Sequence, residues 1–310
     1  MKVLITGGAG FIGSHLIERL LKENLDITVL DNFLTIDSTY EKQVKFVKMD
    51  VADPLLYSLF EENKFDVVVH LATQIIPINS PDYDANKNIL GGIWGGVNIL
   101  ECCKKTNVKK IIFPSTAAVY GNSDIVPSRE DLPTEPNSFY GLSKLTFEKY
   151  LMLYNKLFNL DYVALRFSNV YGERQRPDGP GSVISTFINH FIDETQITIY
   201  GDGSQTRDFI YVGDIAESIW AAIKTNEVND VYNISTNIAT EVNAVLAILA
   251  DISGKKISVV RNPERIGDIY HSTLDNSKAI NKLKWKPETT IRFGLEKVYK
   301  SFLKGVLFCN

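Results

Sequence analysis

A glycine-rich segment near the N-terminus restricts the fold of this chain more than any other feature of its sequence. Residues 6–13 read TGGAGFIG and lie between an apolar, β-branched run at 2–6 and a helical pattern. In a strand–loop–helix unit, Gly7 permits a tight turn, Gly10 lets the backbone approach a pyrophosphate, and Gly13 permits close helix–strand packing. The N-terminus of the helix favours the anion. The segment therefore predicts a dinucleotide site at the start of a parallel α/β sheet.

An acidic residue at the end of the second predicted strand narrows the dinucleotide to NAD. The run at 26–30 is followed by Asp31, about 20 residues beyond the glycines, where a carboxylate can accept hydrogen bonds from the adenosine ribose. The same carboxylate would repel a 2′-phosphate, so NAD is expected rather than NADP. Glycines alone also occur in ordinary surface turns, and it is the order of strand, loop, helix, strand and acid that makes the prediction specific.

Short apolar runs alternate with longer helical patterns along the first half of the chain. The predicted strands lie at 2–6, 26–30, 44–47, 66–70, 110–113 and 162–165, with helical patterns such as 12–22 and 90–105. This alternation is typical of a doubly wound parallel α/β sheet. After about residue 172, glycine- and proline-rich loops precede mixed elements, which predicts a smaller mixed α/β domain packed against the first.

Composition argues against several classes of function. The 310-residue chain is 45% hydrophobic and 23% charged, with a net charge of −4, so it has no basic excess for nucleic acid or an anionic membrane. Glycines interrupt the N-terminal apolar segment, which argues against a signal peptide, and no apolar run reaches the ~18 residues that a membrane span needs. Cys102, Cys103 and Cys309 lack metal-ligand spacing, so we expect no metal and a cytoplasmic protein.

A tyrosine and a lysine lie four residues apart in YGLSK (140–144), which makes them neighbours on one face of a helix. The ammonium of Lys144 would stabilise the phenolate and lower the pKa of Tyr140 from about 10 toward neutrality, giving a usable base. The positive charge of a nicotinamide would add to this effect. Such a pair alone is more often a solvated helix face, but here it follows a nucleotide-binding half.

Motifs along nearly the whole chain resemble the extended short-chain dehydrogenases/reductases, most closely the UDP-glucose 4-epimerase branch. They are TGGAGFIGSH (6–15), VLDN (29–32), MDV (49–51), HLA (70–72), STAAVYG (115–121), YGLSK (140–144), RFSNVYG (166–172), GDGSQTRDFIYV (201–212) and RIGD (265–268). The resemblance implies a Rossmann-type NAD-binding domain at 1–172, rejoined by roughly 207–225 with RDFIYV (207–212) in its sheet. Residues 173–310 would mainly bind the nucleotide sugar. It also implies tightly bound NAD and a homodimer joined by a four-helix bundle of helices near 88–106 and 139–158.

The resemblance also assigns roles to individual residues. Tyr140 would take the proton of the sugar 4-hydroxyl, Thr116 would hydrogen-bond the same oxygen, and Lys144 would also hold the nicotinamide ribose. The implied cofactor contacts are Gly7, Gly10, Phe11, Ile12, Gly13, Asp31, Asn32, Asp50, Val51, Leu71, Ala72, Thr73, Tyr140, Lys144 and Phe167. The implied substrate contacts are Thr116, Asn169 for the diphosphate, Val183, Tyr200 for uracil, Arg207 and Arg265 as phosphate clamps, Asp268 for the ribose, and Ser272. A guanidinium fork suits a phosphate, although a surface salt bridge is the commoner role of a lone arginine.

Two alanines after Thr116 bear on the reaction. At the positions of Ala117 and Ala118, nucleotide-sugar 4,6-dehydratases typically carry Asp and Glu, because eliminating water requires an acid and a base. UDP-glucuronate decarboxylases keep a Glu at the second position. The resemblance therefore implies 4-epimerisation of UDP-glucose and UDP-galactose, in which hydride leaves C4, a 4-keto sugar turns, and hydride returns to the opposite face. The small Ser272 would also leave room for the N-acetyl group of UDP-GlcNAc or UDP-GalNAc.

Several alternatives stay open on the sequence. The run at 174–178, RQRPD, resembles that of UDP-glucuronate 4-epimerases and adds cationic side chains for a carboxylate. A dehydratase and a non-catalytic NAD-binding protein are less favoured. Among the departures from the family, Pro114 stands where a serine is usual, and glycines 91, 92, 95 and 96 interrupt a helix at roughly 1 kcal/mol each against alanine. Those glycines would form a smooth face for the cofactor domain or a partner helix, or let the helix fray.

Overall fold

A seven-stranded sheet forms the centre of the computed structural model, which describes residues 1–32, 43–73, 90–177, 182–264 and 269–305. The strands in these ranges are, in chain order, β1 (Lys2–Thr6), β2 (Asp26–Asp31), β3 (Lys45–Lys48), β4 (Val67–His70), β5 (Lys110–Thr116), β6 (Asp161–Phe167), β7 (Asn169–Tyr171), β8 (Ile197–Tyr200), β9 (Thr206–Arg207), β10 (Phe209–Tyr211), β11 (Asp230–Ile234), β12 (Thr240–Glu241), β13 (Val259–Asn262) and β14 (His271–Ser272). The order across the large sheet is β11-β6-β5-β4-β1-β2-β3, and every neighbouring pair is parallel. The doubly wound parallel sheet predicted from the sequence is therefore confirmed.

Helices cover both faces of this sheet. In the described residues they are α1 (Phe11–Leu20), α2 (Leu56–Asn63), α3 (Gly95–Thr106), α4 (Phe139–Phe158), α5 (Val183–Asp193), α6 (Val212–Lys224), α7 (Val242–Ser253), α8 (Ser277–Lys282) and α9 (Ile291–Leu303), with a π-helical turn at Leu90–Trp94 and a 3₁₀ turn at Ala117–Tyr120. None of these helices combines the length and the apolarity that crossing a bilayer would require.

Alternating side chains of the buried strands pack into two separate hydrophobic cores. In β1, Val3 and Ile5 pack into the core beneath α1 and α6, whereas Leu4 packs into the core beneath α2, α3 and α4. All three side chains are inaccessible to solvent. Successive residues of a strand point to opposite faces, and a parallel sheet covered on both sides therefore needs apolar residues at consecutive positions.

The strand in RDFIYV (207–212) does not join the large sheet, contrary to the expectation from the sequence. β10 pairs instead with β7 in a separate two-stranded ladder, and β11 occupies the place beside β6. The buried carboxylate of Asp208 helps to fix this arrangement by accepting backbone N–H bonds from Thr236 and Asn237 at 2.9 and 3.0 Å. Ile210 and α6 still pack against the large sheet. The division of the chain near residue 172 stays a prediction.

Short ladders and a third core make up much of the remaining chain. β9 lies between β12 and β14, and β8 pairs with β13. The core beneath them is apolar and joins α5, α7 and α9, with Phe187, Ile188, Leu249 and Leu295 among its buried members. These ladders carry several of the substrate contacts predicted from the sequence.

The glycine-rich stretch at 91–96 spans the π turn and the start of α3, and it faces α4 of the same chain. A Cβ placed on Gly96 would lie 2.3 Å from Cε2 of Phe147, and one on Gly92 would lie 3.5 Å from Oγ of Ser143. A side chain at 96 would therefore collide with a buried ring, whereas one at 92 would make an ordinary contact. The smooth face that these glycines were predicted to form packs against α4, the helix that carries Tyr140 and Lys144.

Candidate active site

The glycine loop after β1 forms a cradle whose glycines serve two different needs. Gly7 has φ +70°, and a Cβ there would lie 2.6 Å from the backbone N of Ala72. A Cβ on Gly13 would lie 2.6 Å from the carbonyl oxygen of Gly7. At Gly10 a Cβ would meet only that same oxygen, at 3.3 Å. Gly7 and Gly13 are thus required by the packing of the chain itself, while Gly10 leaves space for a ligand to approach the backbone.

The N-terminus of α1 is suited to hold an anion. Its N-cap residue is Gly10, no side chain caps the helix, and its first turn contains no acidic residue. The backbone N–H groups of a first turn have no partner within the helix, and the helix dipole favours negative charge there. The Oδ2 atom of Asp31 accepts a hydrogen bond from Ala9 N at 2.9 Å, which ties the end of β2 to the loop. This cradle fits the pyrophosphate of a dinucleotide such as NAD.

The other predicted cofactor residues lie along the same edge of the sheet. Asn32 donates a hydrogen bond to Asp50 at 2.8 Å, and Asn98 of α3 donates to the carbonyl oxygen of Val51 at 2.7 Å. Leu71, Ala72 and Thr73 follow β4, Phe167 ends β6, and Phe11 and Ile12 open α1. In open α/β sheets a ligand binds at the carboxyl ends of the strands, where the strand order reverses. That reversal lies here between β1 and β4.

The structure brings Thr116, Tyr140 and Lys144 together. Thr116 ends β5, and α4 begins at Phe139 after a cap in which Ser138 Oγ accepts from Gly141 N at 3.1 Å. A Cβ on Gly141 would lie 2.6 Å from the carbonyl oxygen of Ala118, so this end of α4 rests directly on the 3₁₀ turn. Nζ of Lys144 lies 5.9 Å from the ring centroid of Tyr140.

Lys144 is buried, and its ammonium is held by a carbonyl of β5. Its exposed fraction is 6%, and Nζ donates a hydrogen bond to the oxygen of Pro114 at 2.9 Å. Burial lowers the pKa of Lys144 to about 8, against an opposing effect of the Glu148 carboxylate. The pairing of β4 with β5 ends at Ile112, so Pro114 lies beyond the hydrogen bonds that join these two strands. At such a position the lack of a backbone N–H in proline is tolerated. The unusual proline thus contributes its carbonyl to the site.

The pKa of Tyr140 moves in the direction opposite to the one predicted. Burial raises the pKa of the phenol to about 12, and a hydrogen bond with the Thr116 side chain only partly offsets this. The lowering of this pKa that was predicted from the Lys144 ammonium is therefore not found among the protein's own groups. The reason is that removing water from the phenolate costs more than the Thr116 hydrogen bond returns, while the Lys144 ammonium is engaged with the Pro114 carbonyl.

The 3₁₀ turn after Thr116 carries no acidic side chain. Ala117 and Ala118 are half-buried, and Thr116 Oγ1 caps the turn by accepting from Ala118 N at 3.2 Å. Only Val119 and Tyr120 of this turn are buried. The turn presents methyl groups beside Thr116. In the residues that the structure describes, no group of three or more His, Cys, Asp and Glu side chains could hold a metal ion.

Several predicted substrate contacts converge on the short ladders. Arg207 of β9 and Ser272 of β14 are directly paired neighbours. Asn169 donates its backbone N–H to the carbonyl oxygen of Asp208 at 2.8 Å, and Asp208 directly follows Arg207 in the chain. Tyr200 ends β8, and Val183 opens α5 with 38% of its surface exposed. Arg265 and Asp268 lie outside the described residues.

A buried group beneath the site was missed in the sequence. Glu148, one helical turn beyond Lys144, forms an ion pair with Arg166 of β6 at 2.7 Å and accepts a hydrogen bond from Ser115 of β5. The only signal for it is an acid four residues after Lys144, on the same helical face. Such a pattern is common on exposed helices, and its burial here depends on the packing of α4 against the sheet.

Comparison with known proteins gives a consistent result. Residues 3–235 match the NAD dependent epimerase/dehydratase family. The chain is 32% identical to the UDP-glucose 4-epimerase of Mycolicibacterium smegmatis over 312 residues, which cover 97% of this chain and 98% of that one.

Two solved structures of high similarity carry different sugars. UDP-glucose 4-epimerase from Thermotoga maritima, solved with UDP-glucose, is 33% identical with a TM-score of 0.93, covering 98% of this chain and 99% of that one. UDP-glucuronic acid 4-epimerase from Bacillus cereus, in complex with UDP-glucuronic acid and NAD, is 32% identical with a TM-score of 0.91, covering 99% and 100%. The similarity extends over the whole fold in both cases, and it does not distinguish the two sugars.

Proposed function

Because the chain belongs to the NAD dependent epimerase/dehydratase family, we propose that it is a UDP-hexose 4-epimerase that interconverts UDP-glucose and UDP-galactose. It is an NAD-dependent enzyme, as are its relatives. The observation that carries the choice of reaction is the 3₁₀ turn after Thr116, where Ala117 and Ala118 supply neither the acid nor the base that an elimination requires.

The cofactor would lie across the carboxyl ends of β1 and β2. In this proposal the N-terminus of α1 binds the pyrophosphate, Asp31 accepts from the adenosine ribose, and Lys144 holds the nicotinamide ribose. Bound NAD would supply a reversible hydride acceptor and, in its oxidised form, a positive ring charge. The remaining cofactor contacts would come from residues along the same edge of the sheet, namely Phe11, Ile12, Asn32, Asp50, Val51, Leu71, Ala72, Thr73 and Phe167.

Tyr140 is proposed to remove the proton of the sugar 4-hydroxyl and to return it. Because burial raises the pKa of its phenol, Tyr140 needs positive charge beside its hydroxyl to act as a base at neutral pH. The Lys144 ammonium, fixed on the Pro114 carbonyl, supplies part of that charge. The side chain of Thr116 forms a hydrogen bond with Tyr140. It would also hydrogen-bond the oxygen of the sugar 4-hydroxyl and so ease the transfer of the proton to Tyr140. Two methyl-bearing residues beside Thr116 leave space for the keto sugar to turn.

The UDP part of the substrate would be held on the short ladders. Arg207 and Arg265 are proposed to clamp the phosphates, with Asn169 on the diphosphate. Tyr200 would stack on uracil and Asp268 would bind the ribose, with Val183 alongside. Ser272, half-buried and next to Arg207, is small enough to admit an N-acetyl group, which extends the proposal to UDP-GlcNAc and UDP-GalNAc.

A UDP-glucuronate 4-epimerase is the second candidate, because a similar fold holds that sugar. One observation weakens the sequence argument for it. Of the two arginines in the run RQRPD (174–178), Arg174 donates from its guanidinium to Glu18 of α1 at 2.6 Å. A carboxylate ligand would compete with that ion pair.

A homodimer through α3 and α4 is also part of the proposal. The outer face of α4 exposes apolar side chains, including Leu142, Met152, Leu153 and Leu157, each with about half of its surface accessible. An exposed apolar stripe of this length on one helix is typical of an interaction surface. Sedimentation of the wild type and of a Leu153→Asp variant would test it, since the variant should shift a dimer toward monomer.

Product analysis tests the function directly. Purified protein is incubated separately with UDP-glucose, UDP-GlcNAc and UDP-glucuronate, without added NAD, and the products are resolved. We expect UDP-galactose from UDP-glucose, because NAD is retained. Turnover of UDP-glucuronate alone would replace the proposal by the second candidate, a 4-keto-6-deoxy product would indicate a dehydratase, and no turnover of any sugar would indicate a non-catalytic protein.

A further inference from the structure

A buried ion pair lies directly beneath the catalytic residues, and the reaction as proposed does not use it. Glu148 of α4 and Arg166 of β6 are 2% and 4% exposed. Arg166 donates two parallel hydrogen bonds to Glu148, from Nε at 3.0 Å and from Nη2 at 2.7 Å. Ser115 of β5 donates its hydroxyl to the same carboxylate, at Oε1. We call these three residues the Glu148 clamp.

The remaining guanidinium nitrogen of Arg166, Nη1, also has a hydrogen-bond partner. Arg166 donates from Nη1 to the hydroxyl of Tyr120 at 2.9 Å, and that hydroxyl donates to Oδ1 of Asn233 at 2.8 Å. Burying two charges costs several kcal/mol even when they are paired, and apolar side chains of similar size often stabilise a fold as well. Stability therefore gives a weak reason for an ion pair at this place.

The position of the clamp gives a stronger reason. Glu148 lies one and two helical turns from Lys144 and Tyr140, on the same face of α4. Its partner Ser115 lies between Pro114, whose carbonyl holds the Lys144 ammonium, and Thr116. A single carboxylate thus fastens the helix that carries two of the three catalytic side chains to the strand that carries the third.

We propose that Glu148 is a positioning residue, which uses Ser115 to hold the end of β5 in register with α4 so that Thr116, Tyr140 and Lys144 keep their mutual distances. Arg166 neutralises the carboxylate and fixes its two oxygens, so that only one orientation is available to it. The inference rests on the proposed roles of the three catalytic residues. Displacements of about 1 Å in such a set, even from a change outside it, can cost about 10²-fold in rate.

The experiment compares two substitutions of buried serines. Ser115→Ala removes the hydroxyl that joins β5 to Glu148 and leaves the ion pair with Arg166 in place. Ser218→Ala is the matched control, because Ser218 is also fully buried but bonds only to the carbonyl of Ile215 in its own helix. For each variant, kcat and KM for UDP-glucose, the bound NAD and the Tm are measured.

We expect Ser115→Ala to lower kcat about 10- to 100-fold, with KM and bound NAD close to the wild type, because only the catalytic geometry has changed. Ser218→Ala should keep its kcat. A Ser115→Ala enzyme with wild-type kcat would overturn the role of Glu148, as would a loss of activity that both variants share in proportion to their loss of Tm. A wild type inert on all three sugars would instead overturn the proposed function, and the role of Glu148 with it.

A second variant addresses the carboxylate itself. Glu148→Gln keeps the shape of the side chain and removes its charge, so that Arg166 loses its ionic partner. We expect a larger fall in kcat than in Ser115→Ala, together with a lower Tm, since a buried unpaired charge is costly. A Glu148→Gln enzyme that loses Tm but keeps kcat would reduce the clamp to a purely structural role and overturn the proposal.

Discussion

The proposed cofactor end of the site and its proposed substrate end are built from different kinds of β-structure. The cofactor end comprises the glycine loop and the carboxyl ends of β1, β2, β4, β5 and β6, in a continuous parallel sheet with a core on each face. The substrate end comprises β9, β12 and β14, each two residues long, with the exposed strand β13 nearby. In the proposed site, groups that must hold a fixed geometry thus come from the continuous sheet, and groups that would select a ligand come from the short ladders.

The arrangement has a consequence for what can change independently. Lys144 is inaccessible and fixed by Pro114, whereas Arg207 is half-buried on a short ladder. A substitution at the substrate end should therefore alter which sugar nucleotide binds without disturbing the hydride and proton transfers. A substitution at the cofactor end should reduce turnover for every sugar. Four measurements would sharpen this comparison or break it.

The largest effect is expected from Tyr140→Phe. Without the hydroxyl no side chain takes the proton from the sugar, and loss of a general acid–base typically costs about 10²–10⁴-fold in rate. NAD should stay bound, because the cradle is untouched. Tyr57→Phe, at a tyrosine of the protein surface with 37% of its area exposed, is the control. A Tyr140→Phe enzyme with an unchanged rate would exclude Tyr140 as the base.

Arg207→Ala should act on substrate affinity rather than on kcat. A charge-assisted hydrogen bond contributes about 1.5–3 kcal/mol, which corresponds to roughly a 10- to 150-fold rise in KM for the UDP-sugar. Arg129→Ala is a suitable control, because Arg129 is exposed and pairs with Asp131 on the surface. If kcat fell as much as KM rose, the separation between the two ends would be lost.

Two glycine substitutions test the packing that supports the cofactor end. Gly96→Ala would place a methyl group against the buried ring of Phe147 and should lower the free energy of unfolding by about 1–3 kcal/mol. Gly92→Ala makes only an ordinary contact with Ser143 and should be neutral or stabilise by up to about 1 kcal/mol. Urea denaturation of both variants measures this. Equal stabilities would show that α3 can move away from α4 freely.

The smallest effect concerns the pH dependence of stability. Burial lowers the pKa of His70 to about 3, with a further contribution from Lys144, whereas the unfolded chain titrates near 6.5. Since the unfolded state then binds more protons between these values, the stability contributed by neutral His70 is present above pH 6.5 and lost as the pH falls toward 3. Between pH 7.5 and 5.5, the contribution of His70 to the free energy of unfolding should fall by roughly 1 kcal/mol.

Denaturation of His70→Asn across that range should show a correspondingly weaker fall in stability. His190→Asn, at a partly exposed ring hydrogen-bonded to Thr195, is the control and should follow the wild type. Parallel curves for the wild type and His70→Asn would show that protons reach this ring in the folded protein, and that the cofactor end is less closed than its packing indicates.

The cofactor end was largely predictable from the sequence, because its signals are local. The loop at 6–13, Asp31 and the Tyr140–Lys144 spacing each combine neighbouring residues with one element boundary. The pairing of RDFIYV was not predictable, since the place of a three-residue strand is set by distant groups such as those around Asp208. The pKa of Tyr140 likewise depends on burial, which spacing along a helix does not reveal.

The alanines of the 3₁₀ turn also bear on how such proteins diverge. Positions 117 and 118 are half-buried and lie outside the sheet ladders and the two large cores, although Ala117 packs against the small cluster of Val119, Tyr120 and Leu274. Selection can therefore exchange these two side chains with little penalty to folding. A duplicated copy of this gene could therefore acquire other side chains beside Thr116 while the two large cores stay unchanged.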